Sequence, residues 1–158
     1  MTTYLIIGGV AGGASAATRL RRNDERAKIV LVERDPDISY ANCGLPYYLG
    51  GIISERERLT ITTPELLRLR FNIDVRVNTE ALAINAKAKK VRLKDTATGK
   101  EYDQPYDRLL LATGSTSFLP PIPGADQPGV FTLKTLKDAD TIAAYYNQHH
   151  PGSVVIIG

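Results

Sequence analysis

Tyr4-Leu5-Ile6-Ile7 is an unbroken apolar run that stops at Gly8, and from Gly13 through Ala17 and Leu20 small and apolar residues recur at helical spacing as far as Asn23. The pattern predicts a strand, a tight turn and a helix over Ala14 to Asn23. Lys28 to Glu33 is a second continuous run rich in β-branched residues, as expected of a strand buried on both faces of a parallel sheet. Together these segments form a βαβ unit of about thirty residues.

Beyond Asp35-Pro36-Asp37 the pattern loosens into a loop holding Ser39 to Gly51. Thr63 then caps a helix running to Leu69 or Arg70, and Asn72 to Val77 reads as a third parallel strand. Ala81–Asn85, Lys90–Lys94 and Glu101–Tyr106 are short and separated by turn-forming residues such as Thr98-Gly99, which predicts a small antiparallel meander. Arg108 to Ala112 is expected as another buried strand. Leu119 to Gly124 holds three prolines that remove backbone donors, so it is read as a linker. Thr135 to His149 is a helix, stopped by Pro151-Gly152. Val154-Val155-Ile156-Ile157-Gly158 repeats the opening pattern of an apolar strand arriving at a glycine. The fold class is α/β, a Rossmann-like parallel sheet with a small antiparallel β-meander. The expected organisation is one nucleotide-binding segment over 1–151, with its meander at about 80–106. Residues 152–158 are the first strand of a second, truncated unit, so the chain reads as the N-terminal piece of a longer protein.

Composition narrows the functions. The 158 residues carry 20 Lys plus Arg against 17 Asp plus Glu, a net charge of +3, with no basic block beyond Arg19-Leu20-Arg21-Arg22. A nucleic-acid partner is not expected. No window is apolar enough to span a membrane, and the start Met1-Thr2-Thr3 has no basic targeting region. The single cysteine excludes an intramolecular disulfide framework, a CxxC metal site and an internal dithiol. No metal site is expected, and the default setting is a reducing cytoplasm.

Gly8-Gly9-Val10-Ala11-Gly12-Gly13 joins the first strand to the first helix. In that context glycines permit a tight turn and the close approach of a dinucleotide pyrophosphate to a helix N-terminus. Glu33, twenty residues past Gly13 at the end of the second strand, is placed to accept ribose hydroxyls. Val10 stands where GxGxxG has its second glycine. The motif does not separate FAD from NAD. The alternative is that the glycines serve packing alone and Glu33 a surface ion pair.

Cys43 lies in Ser39-Tyr40-Ala41-Asn42-Cys43-Gly44-Leu45-Pro46-Tyr47-Tyr48, where Asn42 is expected as an N-cap and Pro46 falls in the first helical turn. A cysteine at a helix start is favoured as the nucleophilic thiolate. The other reading is a small buried hydrophobe. Ser15, Arg19 and Arg22 share a stripe of the first helix, at i, i+4 and i+7, suited to a phosphorylated substrate or to solvent.

The opening βαβ unit, Ala41-Asn42-Cys43-Gly44-Leu45-Pro46-Tyr47-Tyr48, Ala112-Thr113-Gly114 with its proline-rich linker, and the C-terminal strand pattern resemble the single-cysteine, FAD-dependent pyridine nucleotide-disulfide oxidoreductases. Within that family the chain is most similar to coenzyme A-disulfide reductases and NAD(P)H-dependent persulfide reductases. The resemblance implies that Gly8, Gly9, Val10, Ala11, Gly12, Gly13, Glu33 and Arg34 hold the ADP half of FAD. It further implies that Ala81 borders the adenine and that Ala112, Thr113 and Gly114 close on the flavin. Cys43 becomes the redox sulfur, taking electrons that NADH or NADPH delivers to FAD and cycling through a mixed disulfide with coenzyme A or a persulfide.

Substrate contacts are implied at Ser15, Arg19, Arg22, Ser39 and Asn42, and a homodimer for the longer parent. Phe71 departs from the family, which often has a lysine there, with Arg70 as a possible substitute. Two other functions stay open: an NADH oxidase or peroxidase using a Cys43 sulfenic acid, and a non-catalytic nucleotide-binding fragment.

Overall fold

A computed structural model describes residues 1–157. Its elements are β1 (Thr3–Ile7), α1 (Ala11–Asn23), β2 (Lys28–Val32), α2 (Leu45–Leu49), α3 (Pro64–Phe71), β3 (Asp74–Arg76), β4 (Thr79–Asn85), β5 (Lys90–Asp95), β6 (Glu101–Pro105), β7 (Arg108–Leu111) and α4 (Leu136–His149). Short 3₁₀ turns occupy Asn42–Gly44 and Arg56–Leu59. The chain divides into two units, one of Met1–Tyr40 with Thr60–Gly114, the other of Ala41–Leu59 with the described residues from Ser115 onward. This is a partition by contacts, distinct in kind from the expected 1–151 and 152–158 segments.

The first unit explains why its apolar runs are continuous. The strands β3-β2-β1-β7 form a parallel sheet, with Leu5 level with Val30 and Ile6 level with Leu31. Because side chains alternate across a strand, Ile6, Ile29 and Leu31 point to one face, where they pack with Ala17 of α1 and Leu67 of α3. Leu5, Ile7, Val30 and Val32 point to the other, where Val91 and Leu93 of the β4-β5-β6 antiparallel sheet cover them. Burying each such side chain contributes about 1.5–3 kcal/mol. Both expected sheets are therefore present.

Several bounds differ from the sequence reading for local reasons. The helix α1 starts at Ala11, because Gly12 and Gly13 are themselves helical. Asn72 cannot open β3, since it caps α3 in the left-handed conformation at φ 49°. The expected buried strand over Arg108–Ala112 is instead an edge: β7 pairs with β1 alone among the described strands, and Leu111 is 57% exposed. An apolar run announces a strand without saying how many neighbours it has.

In the second unit α4 begins with a capping box, Thr135 accepting the Asp138 N–H on its side chain while the Asp138 carboxylate accepts the Thr135 N–H. Phe131 packs edge-on against Tyr145, ring centroids 5.1 Å apart. The proline-rich stretch carries no helix or strand. Nor do the exposed residues 153–157, and Gly158, the end of the expected second-unit strand, lies outside the described residues.

Candidate functional site

Two constellations hold the residues singled out by sequence. In the first unit, the end of β1 turns at Gly8 with φ +103°, a conformation costly for any side chain. A Cβ there would collide with the Ala112 carbonyl, and one at Gly13 would collide with the Gly8 carbonyl. Gly8 lets the end of β1 pass close to Ala112 beyond β7, and Gly13 lets the start of α1 pack on that turn and on Ile6. Gly12 is different, because a Cβ would meet only the Ala112 side chain at 3.6 Å, an ordinary contact.

Glu33 lies buried just past the end of β2. It is 8% exposed, so it is no surface ion pair. Its Oε2 accepts the buried Gly9 N–H at 2.7 Å and its Oε1 accepts the Asp35 N–H at 3.2 Å. The carboxylate ties the end of β2 to the glycine turn and retains acceptor capacity beyond these two bonds. Ser39 joins the same assembly through its backbone, donating to the Gly9 carbonyl at 3.0 Å, and is buried at φ 46°.

The N-terminus of α1 carries no side-chain cap and no acid in its first turn, and Ala11 and Gly12 are exposed. Uncapped N–H groups at the positive end of a helix, beside a glycine that leaves room, suit an anionic group such as a pyrophosphate. The turn thus fits a dinucleotide, while packing already accounts for Gly8 and Gly13. Arg34 is exposed near Asp35, at 3.8 Å. Ala81 lies half-buried at a bulge of β4 and packs against the meander-side core. The Ala112 N–H donates to Ile7, and Thr113 and Gly114 are exposed beyond it. Ser15, Arg19 and Arg22 are all exposed on α1. Phe71 belongs to the helix-side core, and its carbonyl accepts Arg21 Nε at 2.8 Å.

Cys43 belongs to the second unit and is exposed. The buried-hydrophobe reading is thereby removed. The expected N-cap is corrected as well: Asn42 and Cys43 form a 3₁₀ turn whose preceding residue is Ala41, and Asn42 makes no capping bond. The helix α2 that follows starts at Leu45, with Pro46 in its first turn, and is only five residues long. Such a helix supplies little field, so the helix-start argument for a thiolate lapses. Asn42 instead sends its side-chain Nδ2 to the Lys134 carbonyl at 3.2 Å. Sequence spacing gave no sign of this partner, ninety-two residues away.

Among the described residues there is no cluster of His, Cys, Asp or Glu able to hold a metal ion, and no helix is long and apolar enough to cross a membrane.

Residues 2–158 match the family model for pyridine nucleotide-disulphide oxidoreductases. A coenzyme A disulfide reductase of Staphylococcus haemolyticus is 34% identical over the whole chain, which spans 35% of that relative. Among solved structures, reduced Bacillus anthracis CoADR-RHD superposes with a TM-score of 0.93 at 44% identity, covering 95% of this chain and 27% of that one. An NAD-dependent persulfide reductase from A. fulgidus gives 0.87 at 36% identity, covering 93% and 27%. The water-forming NADH oxidase of Lactobacillus brevis also gives 0.87, at 26% identity, covering 94% and 33%.

Proposed function

Because the chain belongs to the pyridine nucleotide-disulphide oxidoreductase family, we propose that it is the N-terminal segment of an FAD-dependent, NAD(P)H-linked reductase of coenzyme A disulfide or a related persulfide, with Cys43 as the reacting sulfur. The observation that carries this reading is an exposed cysteine, the only one in the chain, in a protein similar to reductases of that name.

The uncapped N–H groups of Ala11, Gly12 and Gly13 hold the pyrophosphate, and the remaining acceptor sites of Glu33 take the ribose hydroxyls. FAD, when bound, supplies the two electrons drawn from NAD(P)H. The Cys43 thiolate attacks one sulfur of the substrate disulfide, the substrate S–S bond breaks, a mixed disulfide forms, and one coenzyme A thiolate leaves to be protonated by solvent. Two electrons then cleave the mixed disulfide, releasing the second thiolate and restoring Cys43. With no second protein thiol in the chain to intercept it, the mixed disulfide persists until reduced. The exposed Ser15, Arg19 and Arg22 stripe suits the phosphates of coenzyme A, with Ser39 and Asn42 as further contacts. Arg34 would join Glu33 at the ADP half of FAD, Ala81 would border the adenine, and Ala112, Thr113 and Gly114 would close on the flavin. A reducing cytoplasm keeps the exposed thiol free.

The likeness to the water-forming NADH oxidase favours a second reading, in which Cys43 reduces peroxide through a sulfenic acid.

The test is to purify the longer protein bearing this chain, titrate it with NADH and NADPH, and follow flavin absorbance and coenzyme A disulfide reduction. Bleaching of the flavin by one nucleotide and loss of turnover in Cys43→Ser support the reading. A protein without flavin, or Cys43→Ser at the parent rate, refutes it, and peroxide consumption outpacing disulfide reduction selects the alternative. The 158-residue chain alone is expected to retain FAD weakly and to turn over no NADH.

A further inference from the structure

We propose that Asp138 is a positioning residue for Cys43, acting through the capping box of α4 on the peptide that anchors Asn42. The proposal rests on the reading of Cys43 as the reacting sulfur.

The peptide between Lys134 and Thr135 is held on both sides. Its carbonyl accepts the Asn42 amide at 3.2 Å, and its N–H, that of Thr135, donates to Asp138 Oδ2 at 2.7 Å. A trans peptide directs these two groups oppositely. A bond to a carboxylate on one side therefore orients and polarises the carbonyl on the other. The same Oδ2 also accepts the Lys134 N–H at 2.9 Å, a bond beyond the two that define a capping box. That extra bond fixes the residue ahead of the helix, where Asn42 docks.

What Asn42 anchors is the turn carrying the sulfur. The Asn42 carbonyl accepts the Leu45 N–H, and the Ala41 carbonyl accepts the Gly44 N–H at 2.9 Å, closing a short loop around Cys43. The other end of the same segment is fastened to α4 too: Arg56 Nε lies 3.0 Å from both carboxylate oxygens of Asp140. Residues 41–59 are thus clamped at two points on the start of one helix. Disulfide attack needs the thiolate in line with the bond it breaks, so a turn pinned in this way presents its sulfur in one orientation.

The experiment uses the full 158-residue chain and dithiobis(nitrobenzoate), a symmetrical disulfide whose cleavage by the Cys43 thiolate forms a mixed disulfide and releases one coloured aryl thiolate. Asp138→Ala and Asn42→Ala are each expected to slow this release about fivefold, the factor that one hydrogen bond's net contribution gives. The double variant is expected to be no slower than either single one, because both remove the same tie. Asp138→Asn keeps an acceptor oxygen and is expected to restore the rate to within about twofold of the unmodified chain. Thr135→Ala removes the other half of the helix cap and leaves both Asp138 bonds, so it reports helix stability without positioning. Its rate is expected to stay within about twofold of the unmodified chain. In Asp138→Ala the Asn42 side-chain amide protons should exchange faster with water by NMR.

An unchanged rate in Asp138→Ala, losses that multiply in the double variant, or a Thr135→Ala loss equal to that of Asp138→Ala overturns the proposal. Should Asp138→Ala not fold, Asn42→Ala decides: a fivefold loss supports the tie and a parental rate overturns it. These outcomes need no flavin, so failure of the NADH titration removes the redox role of the sulfur and leaves the positioning result standing.

Discussion

Gly12 separates two demands that the other glycines of the turn confound. At Gly8 and Gly13 any side chain collides with backbone, so their substitution reports only that the turn is broken. At Gly12 a methyl group finds ordinary contact and a helical backbone. Gly12→Ala should therefore keep the fold and raise its stability by up to about 1 kcal/mol through reduced unfolded-state freedom. If a pyrophosphate lies against the start of α1, the same methyl stands where the phosphate approaches, and FAD affinity of the longer protein should fall about tenfold or more, a cost of ~1.4 kcal/mol. Urea unfolding and flavin fluorescence titration read the two effects separately. A variant that gains stability and binds FAD as before would leave the glycine turn with a packing role only. Glu33 carries a related lesson, since the carboxylate whose spacing suits ribose hydroxyls also accepts the Gly9 and Asp35 N–H groups, a tie that spacing alone does not announce.

Elements differ in how openly the sequence declares them. The meander was legible because its turns are local. Asp95 accepts the Ala97 and Thr98 N–H groups at 2.9 and 2.8 Å, closing the connection between β5 and β6. The Thr98 N–H, with help from Ala97, holds the Asp95 carboxyl below the usual carboxylate range. A carboxyl depressed in the folded chain stabilises it above its unfolded pKa, and that contribution is lost as pH falls through the folded value. On acidification Asp95 should thus stay ionised after free carboxylates have protonated, and the Thr98 amide should begin to exchange faster only below that range. A carboxyl titration by NMR checks this, and a midpoint at the ordinary value would remove the role of the turn.

The β1–α1–β2 unit and α4 were readable for the same local reason, periodic apolar residues bounded by Gly8 or by Thr135. What escaped was set by distant partners. The exposure of β7 depends on which strands lie beside it, and the Asn42 anchor depends on a carbonyl that only tertiary structure brings to it. The capping box of Thr135 and Asp138 is local to α4, yet nothing in that spacing points to the cysteine turn. Gly44 of the Cys43 turn likewise answers to a distant residue, since a Cβ there would collide with the Leu59 side chain.

At the scale of the whole chain, the sheet edge left unpaired among the described residues is a surface open to association in solution. The strand β7 presents one row of backbone donors and acceptors with no strand beside it among the described residues, flanked by the exposed Leu110 and Leu111. A groove lined by Leu20, Leu109 and Leu110 together with Arg19 and Arg108 runs alongside. Such an edge is a template for pairing with another chain. The net charge of only +3 gives weak repulsion to oppose it. The 158-residue chain should accordingly self-associate as its concentration rises, seen as an increase of average mass in sedimentation velocity. Leu111→Lys places a charge on the edge and removes apolar surface from the contact. It should move the association midpoint to roughly tenfold higher concentration, the factor that ~1.4 kcal/mol of lost burial gives. The core is untouched by that change, so the unfolding free energy from urea titration should hold within about 0.5 kcal/mol. Equal association in both proteins would place the contact on another surface, and the exposed apolar residues 154–157 would then be the next to replace.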